Sequence, residues 1–275
     1  MKMQVLLAEK PWGQTGITNS RHSDGETDRR IGEVSFAHPH GVDLPVLIKY
    51  LYTSERLSIQ VHPDNDQARL RGHACGKDEM WIVLQAAPHS TIGLGLTRTV
   101  SPSELKEAVA DGSIEHLVDW RAVAPGDVIY NPAGTIHAAG ADLVLLEVQQ
   151  SIDLTYRLYD YGRPRELHLA DGLAVADGRP HFDPRDCSVA DGRSRVLADG
   201  PYFGAAWCAG NVPAGLPVAA PHWQVVAVQG SVTIGDTSVQ PGECCLVTSL
   251  AGIAMSADAI AVIAWPVPDA LAQAA

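Results

Sequence analysis

The chain has 275 residues, of which 46% are hydrophobic, so it can bury a sizeable core in one large domain or two small ones. Its formal net charge is −12, and no dense cluster of Lys and Arg provides a footprint for nucleic acid, which argues against a nucleic-acid partner. No apolar run approaches the length of a membrane span, so we predict no membrane partner.

Cysteine usage indicates a reducing compartment. The five cysteines form no CxxC pair and are odd in number. No charged and then apolar leader opens the chain, so a secreted disulfide framework is disfavoured. We therefore expect buried, reduced thiols in a cytoplasmic protein.

Short apolar or alternating runs, separated by Gly and Pro clusters, predict a mainly β fold. In the first third of the chain the predicted strands cover residues 1–8, 44–51, 57–62 and 79–84, with a polar loop at 10–30 and a turn at 63–66.

One stretch interrupts the β pattern. Ser101 and Glu104 have the spacing of a capping box, and Pro102 stands at the first helical position. The helix should end at Asp111 and Gly112, and a second short helix should cover 113–120. We therefore predict a short helical insertion at about 101–120.

Strands are predicted again at 128–131 and 143–149, followed by a helix at 165–176. The passage 177–200, rich in Gly, Asp, Arg and Pro, reads as a connection between domains, and the chain is β-like again from residue 202. The predicted domains are an N-terminal metal-binding barrel (1–176), a connection (177–200) and a C-terminal barrel (201–275).

A weak internal repeat supports two related barrels. Pro125-Gly126-Asp127 leads into one apolar strand, and Pro241-Gly242-Glu243 leads into another. After the second strand, the turn lacks the Pro, Gly and His found in the first. We expect the second barrel to bind no metal and to have a structural role.

Four polar side chains of the first barrel have the pattern of a cation site. Gln60 and His62 are two residues apart on a predicted strand and face the same way. Lys77 and Glu79 show the same parity, and His137 follows a Pro-Ala-Gly turn. A barrel could bring these groups to one interior. Imidazole suits Zn, Fe, Cu or Ni, whereas carboxylate and amide oxygens favour harder ions.

The spacing Gly126-x5-Pro132-x-Gly134-x2-His137 resembles the second cupin motif, although Ala141 replaces its trailing Asn. The first cupin motif is half present, because Gln stands where its first His is usual. The resemblance implies two cupin-like (jelly-roll) β-barrels with a few short helices.

Longer segments resemble type I mannose-6-phosphate isomerases (phosphomannose isomerases), in their compact bacterial form. They are LSIQVHPD (57–64), GKDEMW (76–81), PAGTIHA (132–138) and LEVQQSIDLTYRLYDYGR (146–163). The resemblance covers roughly residues 9–175. The chain departs from the long forms of the family, because only the short helices at 101–120 stand where those forms have a helical domain.

The resemblance implies roles for eleven residues. The zinc ligands, one ion per chain, would be Gln60, His62, Glu79 and His137. The catalytic arginine would be Arg157, and the residues lining the sugar pocket would be Lys49, Lys77, Glu147 and Asp153. The phosphate would lie near Ser58 and Arg163.

The implied reaction interconverts mannose 6-phosphate and fructose 6-phosphate through a cis-enediol, with the cation as Lewis acid. Arg157 keeps its proton and acts electrostatically. Two bases are open: Lys77, if the cation lowers its pKa, and Glu147, if burial raises its pKa. The alternatives are an Fe(II)-dependent cupin oxygenase, which would use His62, Glu79 and His137 as a facial triad, and a non-catalytic sugar-binding cupin.

Overall fold

The computed structural model describes residues 1–17, 28–217 and 220–267. Part of the loop predicted at 10–30 and the last residues of the barrel predicted at 201–275 lie outside the described residues. The strands of the first half are β1 (Gln4–Gln14), β2 (Ile31–Ala37), β3 (Val46–Thr53), β4 (Ile59–Val61), β5 (Glu79–Ala86), β6 (Thr91–Leu96), β7 (Val118–Ala122), β8 (Asp127–Asn131), β9 (His137–Ala139), β10 (Leu143–Gln150) and β11 (Tyr156–Tyr159).

The remaining strands are β12 (Cys187–Ser188), β13 (Arg195–Asp199), β14 (Phe203–Ala209), β15 (Trp223–Gln229), β16 (Val232–Ile234), β17 (Thr237–Val239), β18 (Cys244–Val247), β19 (Ile253–Met255) and β20 (Ile260–Pro266). The helices are α1 (Asn65–Arg69), α2 (Pro102–Asp111), α3 (Ile114–Leu117) and α4 (Leu169–Val175). Among the described residues, no helix has the length and apolar character that crossing a membrane requires.

The N-terminal barrel consists of two facing sheets. One has the strand order β1-β2-β3-β10-β5-β8-β12, and the other has the order β11-β4-β9-β6-β7. In the larger sheet Glu147 lies opposite Lys49, and Gln149 lies opposite Glu79. The register therefore places polar groups from neighbouring strands side by side on the inner face.

Strand alternation divides the side chains of β5 between two environments. Glu79 and Trp81 point into the N-terminal barrel, whereas Met80 and Ile82 join an apolar cluster that continues into the C-terminal barrel. A shift of one residue would exchange the two faces, so burial on both sides fixes the register.

The C-terminal barrel has a sheet of order β13-β14-β20-β15-β18 facing a sheet of order β17-β16-β19. Its larger sheet packs on the larger sheet of the N-terminal barrel through Phe203 and Trp207, among others. The prediction of a mainly β protein with two cupin-like barrels and a few short helices is confirmed.

The internal repeat has the same geometry in both barrels. Gly126 and Gly242 have φ angles of 97° and 82°, a left-handed conformation that favours glycine. The acid that follows each glycine accepts a hydrogen bond from the backbone N–H three residues earlier, at 2.8 Å for Asp127 and 2.9 Å for Glu243. Each turn thus starts its strand in the same way.

The predicted helix after Ser101 is confirmed. Ser101 Oγ accepts from the Glu104 N–H at 3.2 Å, and Gly112 ends the helix with a φ of 83°. The Glu104 carboxylate pairs with Arg98 instead of closing the capping box. The helix predicted at 113–120 is too long, because α3 ends at Leu117 and residues 118–122 form β7.

Three other predicted boundaries were wrong. The loop predicted from residue 10 begins later, because β1 continues through Pro11 to Gln14. The turn predicted at 63–66 leads directly into α1, which Asp64 caps in a full capping box with Gln67. The helix predicted at 165–176 is shorter, since α4 begins only at Leu169.

Secondary structure also lies within the predicted connection 177–200, whose status as a domain boundary stays a prediction. Strand β12 pairs with β8 of the first barrel, and β13 belongs to the second barrel. The beginning of the chain joins the barrels as well. The Met3 N–H donates to the Cys244 carbonyl at 2.9 Å, while β1 starts one residue later in the other sheet.

Candidate metal centre and active site

Three metal-binding side chains converge inside the N-terminal barrel. His62 follows β4, Glu79 opens β5 and His137 opens β9, and each is buried. One nitrogen or oxygen of each lies within 4.8 Å of the others. The His62 and His137 Nε2 atoms lie 3.3 and 3.2 Å from the two carboxylate oxygens of Glu79.

Gln60 completes the predicted set of ligands. It lies opposite His137 in the pairing of β4 with β9, and its amide Nε2 is 3.2 Å from His137 Nε2. Rotation of the amide about its terminal bond presents the oxygen to the same point. The structure therefore brings together all four residues predicted to bind the ion.

The two imidazoles have the tautomer and charge state that suit binding of a cation. His137 Nδ1 donates to the Thr135 carbonyl at 2.9 Å, which leaves the Nε2 lone pair facing Glu79. Burial and the adjacent Lys77 ammonium lower the pKa of His62 to about 3, and burial also lowers the pKa of His137. Both rings are therefore neutral near pH 7, the form that ligates metals.

This donor set fits a divalent cation. The neutral imidazole nitrogens and the Glu79 carboxylate share a buried space and direct mainly lone pairs at one another. A cation between them would accept those lone pairs. Asn131, which sequence reasoning missed, donates from Nδ2 to Glu79 Oε1 at 2.9 Å and orients the carboxylate. The sequence carried no signal for Asn131, because its role depends on the pairing of β8 with β5, where it lies directly opposite Glu79.

A row of alternating charges begins beside Glu79 and crosses the inner face of the larger sheet. Its members, from successive strands, are Lys77, Glu147, Lys49, Glu33 and Lys10, and neighbouring charged groups lie 3.1 to 3.9 Å apart. Every charge in the row thus has an opposite charge beside it.

The row decides the charge state of Lys77. Burial alone would lower the pKa of Lys77, but the carboxylates of Glu79 and Glu147 outweigh it and raise the pKa. These two carboxylates oppose the lowering of the Lys77 pKa that a bound cation would cause. Burial raises the pKa of Glu147 to about 7, in the direction expected for a candidate base.

A cavity of about 220 Å³ adjoins the ligands. Eight predicted site residues line it, namely Lys49, Ser58, Gln60, Lys77, Glu79, Glu147, Asp153 and Arg157. Sequence reasoning missed the eight other lining residues, namely Lys10, Trp12, Glu33, Leu51, Leu57, Trp81, Thr155 and Arg165. A larger, mostly apolar cavity of about 570 Å³ lies between the barrels and includes none of the predicted site residues.

Arg157 lies opposite Gln60 in the pairing of β11 with β4. One of its terminal nitrogens donates to the Glu166 carbonyl, and its Nε is buried without a partner among the described residues. Burial and the neighbouring Arg165 lower the pKa of the guanidinium, which nonetheless stays charged near neutral pH. An unpaired, charged donor beside the cavity is suited to an anionic ligand.

Arg163 does not line the cavity, contrary to expectation. It donates to Asp160 at 2.7 Å and to the Arg56 carbonyl at 2.8 Å. Arg165, two residues later, binds the same Asp160 and does line the cavity. Two consecutive left-handed residues, Tyr161 and Gly162, turn the chain after β11 has ended at Tyr159, so parity along the sequence could not assign these arginines.

The chain is similar to several curated proteins that share one name. No protein-family model matches the chain. The chain is 36% identical over 243 residues to the mannose-6-phosphate isomerase of Streptococcus mutans, a match that covers 83% of this chain and 76% of that protein. It is also 36% identical over 149 residues to the mannose-6-phosphate isomerase ManA of Bacillus subtilis, covering 52% and 47% of the two chains.

Solved structures show the same fold. The crystal structure of a mannose 6-phosphate isomerase from Bacillus subtilis has a TM-score of 0.77 and 25% identity, with 96% of this chain and 98% of that chain covered. A phosphomannose isomerase variant from Salmonella typhimurium, at 12% identity, has a TM-score of 0.70 and covers 96% and 98% of the two chains. The chain belongs to the mannose-6-phosphate isomerase family.

Proposed function

We propose that the protein is a zinc-dependent aldose–ketose isomerase of the cytoplasm that interconverts mannose 6-phosphate and fructose 6-phosphate through a cis-enediol. The observation that carries this proposal is the convergence of His62, Glu79 and His137 beside a cavity lined by cationic and acidic groups. The names of the similar proteins supply the substrate pair. The five cysteines, all in described parts of the chain, are free thiols, which supports a reducing compartment. Three are buried as expected, but Cys75 is half-buried and Cys187 is exposed.

One Zn²⁺ would be held by His62, Glu79 and His137, with Gln60 as the fourth donor. When bound, the ion supplies Lewis-acid chemistry, which stabilises negative charge on the carbonyl and hydroxyl oxygens of the sugar. Two neutral imidazoles and one carboxylate are typical ligands of catalytic zinc.

Proton transfer is assigned to Glu147. Its carboxylate lines the cavity between two ammonium groups, 3.4 Å from Lys49 and 3.5 Å from Lys77. The carboxylate would take the proton from C2 of the open-chain aldose while Lys77 donates a proton to O1, which gives the enediol. Glu147 would then return its proton to C1 while Lys77 takes back a proton from O2, which gives the ketose. Lys77 already donates to Glu79 at 3.0 Å, so its protonated form suits donation to a substrate oxygen better than proton abstraction from carbon.

Two arginines would supply the positive charge that complements the anionic substrate. Arg157, opposite Gln60, is placed to stabilise the enediolate, whereas Arg165 and Ser58 are proposed to bind the phosphate in place of the expected Arg163. Charge-assisted hydrogen bonds from guanidinium groups bind phosphate strongly even in an acidic protein. Asp153, on the same wall, would accept hydrogen bonds from sugar hydroxyls.

The test is a coupled assay for fructose 6-phosphate formation from mannose 6-phosphate. The wild type should turn over, lose activity in EDTA and regain it with Zn²⁺. Arg157→Ala should abolish turnover while zinc content stays unchanged, and Arg157→Lys serves as the matched variant that keeps the charge. A zinc-loaded wild type that forms no fructose 6-phosphate, or that consumes oxygen when loaded with Fe²⁺, would refute the proposal.

A further inference from the structure

The segments that carry the metal ligands are bonded to one another behind the ligands. The Lys77 N–H donates to the Pro63 carbonyl at 3.0 Å, which joins the segment entering β5 to the one leaving β4. The Gly134 N–H donates to the His62 carbonyl at 2.8 Å, which joins the turn before β9 to the same segment. The three segments therefore form one unit, although they come from distant parts of the sequence.

A buried carboxylate connects the two segments that are not yet joined, the one entering β5 and the turn before β9. Asp78 precedes Glu79 and is 6% exposed. Its Oδ1 accepts from the Ala133 N–H at 2.9 Å, and its Oδ2 accepts from the Tyr130 hydroxyl at 2.8 Å. Because Ala133 lies in the turn that leads to His137, one side chain fixes the spacing between a ligand carboxylate and a ligand imidazole.

The backbone of Asp78 belongs to a second branch of the same network. Its N–H donates to Gln150 Oε1 at 2.9 Å, and its carbonyl accepts from the Gln150 N–H at 3.1 Å. Gln150 Nε2 donates to Asn65 Oδ1 at 3.0 Å, and the Gly76 N–H donates to the same oxygen at 2.7 Å. Asn65 opens α1, just after His62, so this branch also connects the segments that carry ligands.

The network continues into the C-terminal barrel. Tyr130 points out of the N-terminal barrel, and its ring stacks on Phe203 with centroids 5.6 Å apart. The Arg185 guanidinium lies 3.3 Å from the centre of the Tyr130 ring and is itself held by Asp183 at 2.7 Å. The hydroxyl that binds Asp78 is therefore held in place by residues beyond the first barrel.

We propose that Asp78 is a positioning residue of the metal centre, and that Phe203 of the C-terminal barrel supports it through Tyr130. The proposal rests on the proposed function only in that His62, Glu79 and His137 bind a divalent cation. Asp78 does not line the cavity that is proposed to bind substrate, so its effect is transmitted through the ligand segments. The second barrel contributes to metal affinity without supplying a ligand.

The experiment measures the Zn²⁺ dissociation constant of the full chain by chelator competition, together with the absorption spectrum of bound Co²⁺. Asp78→Ala should weaken Zn²⁺ binding by about 10- to 100-fold and alter the Co²⁺ spectrum, the range found when residues that orient metal ligands are removed. Tyr130→Phe deletes one hydrogen bond and should weaken binding by about tenfold or less. Asp78→Asn keeps an acceptor for the Ala133 N–H and should recover most of the affinity.

Phe203→Leu tests the support from the second barrel and should weaken Zn²⁺ binding measurably. Ile263→Ala is the matched control, because Ile263 is buried in a different cluster of the same barrel. It should lower the stability of the fold and leave the dissociation constant unchanged. All affinities are compared under conditions in which circular dichroism shows each variant to be folded.

Unchanged Zn²⁺ affinity, within twofold, in folded Asp78→Ala or, where that variant does not fold, in Tyr130→Phe would overturn the positioning role alone. Equal losses in Phe203→Leu and Ile263→Ala would overturn the support from the second barrel. A wild type that binds neither Zn²⁺ nor Co²⁺ would instead overturn the metal centre itself.

Discussion

The two barrels share the same backbone arrangement and differ in the side chains that fill their interiors. In the first, Glu79 lies opposite Asn131 across β5 and β8. In the second, Trp223 lies opposite Val247 across β15 and β18. Asn131 and Val247 stand at the same distance from the glycines of their matching turns, so Trp223 occupies the position of the ligand carboxylate.

The second histidine has a similar counterpart. His137 opens β9 and Ile253 opens β19, and the two residues are equally far from Gly126 and Gly242. Trp223 in turn packs against Trp265, with ring centroids 5.3 Å apart, in the interior of the second barrel. The comparison teaches that turn chemistry and strand alternation set the barrel, whereas a few inward side chains decide between a metal site and an apolar core.

The largest effect is expected when His137 of the first barrel is replaced by the residue type at the matching position of the second barrel. His137→Ile should remove a ligand and lower turnover by at least about three orders of magnitude, because the Lewis acid is lost. The coupled assay and zinc analysis of the purified protein measure both effects. Ile253→His is the control and should leave both unchanged. A His137→Ile protein that retains full zinc content would show that the imidazole is not a ligand.

The reverse exchange, in which the second barrel receives a residue of the first, should destabilise the fold and create no new activity. Trp223→Glu removes a large buried ring and leaves a carboxylate without the cation that the first barrel would provide. We expect a loss of about 3–5 kcal/mol of unfolding free energy, measured by urea denaturation. Trp223→Phe keeps an aromatic ring and should cost less than half as much. Equal stability of the two variants would contradict this account of the second interior.

A smaller effect should be common to both barrels. Gly126→Ala and Gly242→Ala each place a side chain in a left-handed turn, which costs about 1–2 kcal/mol. Gly126→Ala should lie at the upper end, because the added methyl would come within 2.9 Å of the Ala190 nitrogen. Urea denaturation measures both losses. A loss in one barrel only would show that the two turns are not equivalent.

The smallest effect concerns pH and the row of alternating charges inside the first barrel. Burial would raise the pKa of Glu33, but Lys49 and Lys10 outweigh it and hold the pKa below its ordinary value. A lowered pKa stabilises the fold above the unfolded-state pKa, and this contribution is lost as pH falls through the folded-state pKa. Glu33→Gln should therefore cost about 1 kcal/mol at pH 7 and progressively less in acid. A cost independent of pH would exclude the ion pairs as its cause.

Much of the architecture was predictable because the strands alternate clearly and the turns have distinctive residues. The extent of β1 was not, since Pro11 and Gly13 are typical of loops. Pro11 is tolerated because β1 lies at the edge of its sheet, where an N–H can be absent without breaking the ladder. The capping box after Asp64 was readable but was interpreted as a turn.

The site was predictable where spacing or family resemblance marked single residues, as for His62, Glu79 and His137. It was not predictable where the position depended on pairing between distant strands. Lys10 and Glu33 lie in β1 and β2. Because a loop was predicted at 10–30, the sequence did not show which face of the sheet these side chains occupy. Arg165 replaced Arg163 at the cavity because two left-handed residues changed the direction of the chain.

The bond between Met3 and Cys244 has a consequence for synthesis on the ribosome. Met3 cannot acquire this partner until more than two hundred further residues have been translated. At ordinary elongation rates the delay is on the order of tens of seconds. During that interval the nascent first barrel would expose the face it later buries against the second, a period in which chaperones would have most to protect.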